Sequence, residues 1–226
     1  MRITTVLLLL NIAVFLWLGA LDGATQHRVL DAFAFSSNGF FGDRPWTVVT
    51  SLFLHGSVAH LALNMLALSF FGGALETEIR KRDYLFVYVM GGIAGNLLSA
   101  TVFASDQLSI GASGAIFALM GAAMLIKPFD FVAYPWIVPV PLLFVGVAMI
   151  VTNVLLFIAP PPDSNISFAA HIGGFALGLV YGLHKRGFVR GAVLLAAGLL
   201  AFFYFSQALA QLSHFDYTAA LQTLIK

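Results

Sequence analysis

Seven apolar stretches divide this 226-residue chain, near Ile3–Leu21, Ser57–Leu75, Tyr84–Ala104, Gly111–Ile126, Ile137–Ile158, Phe168–His184 and Val189–Leu209. About 20 apolar residues in a helix cross the hydrocarbon core of a bilayer. A span in lipid must satisfy its own backbone, which favours helices here. Hydrophobic residues make up 60% of the sequence and charged residues 9%. A soluble domain carries about 25% charged residues. So little charge cannot cover a water-facing surface, and the expected fold is an all-α, polytopic helical bundle in the lipid bilayer. The first stretch follows Arg2 and outlasts a signal-peptide core, with no clear A-x-A cleavage site after it, so it reads as a retained span.

Positive charge orients the spans. With the N-terminus cytoplasmic, Arg2, Arg80, Lys81, Arg82, Lys127, Lys185, Arg186 and Arg190 fall inside, and only Arg28, Arg44 and Lys226 fall outside. The expectation is N-terminus in, C-terminus out. Residues 1–187 then form a six-helix core with an external loop over 22–46, and residues 188–226 form a seventh helix and a short tail. Phe33, Phe35, Phe40 and Phe41 suit that loop to the lipid interface. A net charge of +1 argues against a nucleic-acid partner, and the lack of cysteine excludes disulfides and thiol chemistry.

Polar residues within spans are costly and so mark candidate sites. The second span carries His60 and Asn64, the fourth opens with Gly111-Ala112-Ser113-Gly114, and the sixth carries His171. All three spans run from outside to inside. At 1.5 Å per residue these groups fall in one layer, about 5–15 Å below the outer boundary. Gly114, Ala118 and Ala122 repeat every four residues, as do Ala170, Gly174, Gly178 and Gly182. Such small-residue faces let helix backbones approach closely. A lone serine in a span is usually a packing residue bonded to its own backbone. The joint pattern is more specific than any member.

A serine hydroxyl needs a base to become a nucleophile, and His171 can serve for Ser113. A carboxylate usually orients such a histidine. The ten acidic residues all lie in loops or near span ends, so the sequence favours a Ser–His dyad whose imidazole is oriented by something else. Phe117, one turn after Ser113, is placed to stack on it. Backbone N–H groups near Gly111 to Ser113, and the side chains of His60 and Asn64, are candidate donors to an oxyanion. For His60 and Asn64, hydrogen bonds that only join helices are an equal reading.

Three segments together resemble the rhomboid family of intramembrane serine proteases. Gly111 to Phe117 is similar to its G-x-S-G-x-x-[FY] nucleophile motif, Ala170 to Gly174 and Gly178 to its histidine helix, and His55, His60 and Asn64 through Glu76 to its second span. The resemblance, to the bacterial type, covers about Arg44 to Gly182. It implies a six-span core with an extra C-terminal helix, in a bacterial or archaeal plasma membrane. It implies Ser113 and His171 as the dyad, with His60, Asn64 and the backbone around Ser113 stabilising the oxyanion and Phe117 and Gly174 in support. It implies cleavage of transmembrane protein substrates near the external face, lateral entry between spans two and five, and no metal or cofactor. His55 and Glu76 look structural, His55 by bonding within the first loop. Trp46 is followed by Thr47 where many members have Arg, which bears on how that loop is anchored.

Two other classes compete. A catalytically silent, rhomboid-like binding or quality-control factor would typically lack the serine or the histidine. A small transporter would place its polar groups at the midplane, often in related halves.

Overall fold

The computed structural model describes residues 2–102, 104–132, 140–162 and 166–213. The expected start of the fifth span at Ile137, Asp163 of the proline-rich turn, and Asp216 and Lys226 of the tail lie outside the described residues. The chain folds as a helical bundle. Its helices are α1 Ile3–Gly19, α2 Gly23–Phe33, α3 Ser37–Phe41, α4 Thr47–Thr50, α5 Val58–Glu76, α6 Lys81–Ala100, α7 Ser113–Ile126, α8 Leu142–Ile158, α9 Phe168–Arg186 and α10 Phe188–Ser213. Two short strands, Phe131–Val132 and Val140–Pro141, pair antiparallel between α7 and α8.

The large helices match the seven apolar stretches, with shifted ends. The loop over residues 22–46 is more ordered than its mixed composition suggests. Asp22 caps α2 by accepting the Thr25 N–H at 3.0 Å, and Ser36 caps α3 by accepting that of Gly39 at 3.1 Å. Phe41 is exposed but Phe35 is buried, so this loop's aromatic side chains do not all face outward. Thr47, where the family often has Arg, is buried and donates its hydroxyl to the Arg44 carbonyl at 2.7 Å. Trp46 Nε1 donates to the Ala32 carbonyl at 2.9 Å. The loop is thus anchored by its own backbone acceptors. The widened turn Leu68–Gly72 interrupts α5. Glu76, at the foot of α5, accepts the N–H groups of Ile3 and Thr4, the latter at 3.1 Å. A carboxylate there satisfies orphan donors and meets the positive end of α1.

At the centre, α6, α7 and α9 pack directly against one another. Helices in lipid gain little from hydrophobic association and hold together by close packing. A Cβ on Gly174 would come within 1.9 Å of the Gly114 carbonyl oxygen, and one on Gly178 within 1.9 Å of that of Ala118. Only a hydrogen fits at either point, so α7 and α9 meet backbone to backbone. At the far end of these helices the charges gather. Lys127 pairs with Asp130 at 2.6 Å and Glu78 at 3.4 Å, and Asp83 with Arg80 at 3.2 Å and Lys185 at 3.5 Å.

Candidate active site

The helix that begins with Ser113 is short. Fourteen residues at 1.5 Å rise give about 21 Å, less than the roughly 30 Å of a hydrocarbon core. The chain before it is non-helical, and its backbone is satisfied by protein. Phe35 and Ser109 form a bridge through N–H···O bonds of 3.0 and 2.7 Å, and the Gly111 N–H donates to the Ser51 carbonyl at 3.0 Å. Irregular backbone is tolerated at membrane depth where protein buries it or it lines a cavity. Asn96 of α6 steadies this arrangement by donating to the Val48 carbonyl and the Ser51 hydroxyl, both at 2.9 Å.

A cavity of about 780 Å³ opens over the start of α7, lined by Ser113, His171, His60, Asn64, Gly111 and Phe117 among others. Exposed Gly56, Ser57 and Gln107 also line it, which gives it a route to solvent. Its apolar wall includes Leu63 and Ala67 of α5 and Met149 of α8. Ser113 and His171 are both half-buried, and the described residues give no hydrogen bond between them in this resting geometry. Catalytic bonds are often long without substrate and tighten when it binds.

His171 is held from three directions. Ser167 caps α9 by accepting the Ala170 N–H at 3.2 Å, and its own hydroxyl lies 2.8 Å from that of Ser99 on α6. The Phe117 ring lies flat on the imidazole, with centroids 4.3 Å apart and planes 5° from parallel. Asn153 of α8 places its Oδ1 2.7 Å from His171 Nδ1, and its Nδ2 donates to the Phe168 carbonyl at 3.0 Å. Asn153 is buried. The sequence does not point to it, because the usual orienting group for such a histidine is a carboxylate. An amide in a largely apolar fifth span was the available signal.

His60 and Asn64 sit one turn apart on α5, lining the same cavity. Asn64 Nδ2 donates to the His60 carbonyl at 2.9 Å, leaving one amide hydrogen uncommitted by that bond. Gly111 has φ +122°, and a Cβ there would meet His60 Nε2 at 2.7 Å. This glycine therefore admits the imidazole to the loop that leads into Ser113. Its N–H donates to the Ser51 carbonyl at 3.0 Å in this structure. The Ser113 and Gly114 N–H groups, in the first turn of α7, lack helical acceptors by geometry.

The His55 ring meets His60 edge to face at 5.0 Å. It is buried, and neither ring nitrogen makes a hydrogen bond of normal geometry among the described residues, although the Phe53 carbonyl lies near enough to act on it. Burial first, and the charge of His60 second, hold its imidazole down to about 4 from the ordinary 6.5.

Fold and site together define a polytopic, all-α membrane protein with its polar groups collected at one end of a glycine-packed helix trio. Residues 42–188 match the Rhomboid domain family, and the chain belongs to that family. It is 32% identical over 212 residues to the "Rhomboid protease GluP" of Bacillus subtilis, covering 89% of this chain and 40% of that protein. It is 35% identical over 141 residues to "RHOMBOID-like protein 4" of Arabidopsis thaliana, covering 62% of this chain and 34% of that one. The chain thus spans less than half the length of either relative.

Proposed function

We propose that this chain is an intramembrane serine endopeptidase that cleaves transmembrane proteins near the external face of the membrane. The observation that carries this reading is the meeting of Ser113 and His171 at one solvent-reachable cavity, each in the first turn of a helix, on helices whose backbones touch. Ser113 attacks the scissile carbonyl, and His171 accepts its proton and passes it to the leaving amine. Asn64, His60 and the free N–H groups at the start of α7 face the developing oxyanion. Water then releases the acyl group by the same path in reverse order. A helical substrate has to unwind locally first, because helical hydrogen bonding and side-chain packing shield its carbonyls. The apolar wall shared by α5 and α8 offers it a lateral approach. No metal or cofactor enters this chemistry.

A fluorophosphonate probe on the purified protein tests the assignment. Wild type is expected to label, and Ser113→Ala and His171→Ala are not. Equal labelling of wild type and Ser113→Ala would overturn it. The orientation is tested separately. The chain has no cysteine, so Ser57→Cys should react with an impermeant maleimide from outside the cell and Arg82→Cys should not. The opposite pattern would invert the topology.

A further inference from the structure

We propose that Asn153 is a positioning residue that holds His171 in the tautomer with its proton on Nδ1, a role that rests on the reading of Ser113 and His171 as the dyad. The amide contacts fix its direction. A backbone carbonyl can only accept, so the Asn153 group facing Phe168 O is the NH₂, as the 3.0 Å bond requires. Its Oδ1 therefore faces His171 Nδ1 at 2.7 Å. Two lone pairs cannot meet at that distance, so Nδ1 carries the hydrogen. In the neutral ring this leaves the lone pair on Nε2, which is the atom a base must present to a serine hydroxyl.

The placement has further support. Asn153 is buried, lies five residues before the end of α8, and links a largely apolar helix to the start of α9. Phe168, whose carbonyl takes the amide, opens α9, and its ring also meets His171 edge to face at 6.4 Å. One side chain therefore ties both the backbone and the imidazole of the histidine helix to its neighbour. The flat stack of Phe117 sets the ring plane, and Asn153 sets its rotation within that plane. The role is the one a carboxylate plays in a triad, supplied by a neutral amide.

The test uses the full chain in detergent or liposomes. Nitrogen-15 NMR of the His171 ring, assigned by its loss in His171→Gln and read at mildly alkaline pH, should show the neutral ring protonated on Nδ1 in wild type. Asn153→Leu, close to isosteric but without an acceptor, should mix the tautomers and lower kcat roughly 10- to 100-fold with KM little changed. Asn153→Asp restores the acceptor and should recover Nδ1 protonation and most of the kcat. A wild-type ring protonated on Nε2 overturns the proposal without any variant, even if Asn153→Leu fails to fold. So does Asn153→Leu with wild-type kcat. If Ser113→Ala labels like wild type, the dyad reading fails instead, while the tautomer measurement still reports on Asn153.

Discussion

The carbonyl oxygen of Gly114 occupies the space where Gly174 would carry a side chain, with 1.9 Å between that oxygen and an ideal Cβ. Gly114 follows Ser113 and Gly174 lies three residues past His171, so the contact sets how near those two side chains come. Gly174→Ala has to push α7 and α9 apart, because the obstacle is backbone. We expect a stability loss of about 1–3 kcal/mol and a drop in activity larger than the unfolded fraction explains. Thermal unfolding in detergent beside fluorophosphonate labelling measures both. Wild-type behaviour in both would mean the helices have slack there.

The stack of Phe117 on His171 makes a second expectation. Phe117→Ala removes the flat face and should slow labelling of Ser113, while Phe117→Tyr keeps the face and should label near the wild-type rate. Comparing pseudo-first-order labelling rates separates them. Equal rates in all three would reduce Phe117 to cavity filling.

Asn64 is expected to act on the rate rather than on binding. Asn64→Ala should lower kcat on the order of 10²–10³-fold, the usual cost of losing an oxyanion donor, with a much smaller change in KM. Steady-state kinetics on a transmembrane substrate in proteoliposomes provide the measurement. A change confined to KM would move Asn64 from the oxyanion to substrate contact.

His55 makes a prediction about acid. Its pKa falls from the ordinary 6.5 to about 4 on folding, so the unfolded chain binds the proton more readily. Its contribution to stability is fully present above about pH 6.5 and lost as pH falls through about 4. His55→Phe, which cannot titrate, should show a flatter fall in melting temperature between pH 7 and pH 4 than wild type. Parallel slopes would show that His55 does not carry this dependence.

The helices of the bundle were legible in the sequence because lipid leaves the backbone few alternatives and makes apolar runs long. Ser113 and His171 stood out as candidates because polar groups are rare in spans and these two lie on helices with small-residue faces. What was not legible depended on contacts between distant segments. Nothing local to Gly111 says that its N–H goes to Ser51, sixty residues earlier. Nothing local to Asn153 says that its amide reaches across to His171. The short helices α2 and α3 were hidden by the loop's mixed composition, although Asp22 and Ser36 were available as cap signals.

On the proposed reading, the shortness of α7 bears on which bonds this protein can reach. A slab of hydrocarbon keeps water from peptide bonds, but a helix that stops about 9 Å early, beneath a cavity, lets water down to its tip. On the proposed reading the scissile bond must descend to that tip from the membrane surface, or slip in from the side and fray there. A stiff, fully wound segment stays out of reach. Selection then depends on how easily a candidate comes unwound near its end, before any side chain is compared.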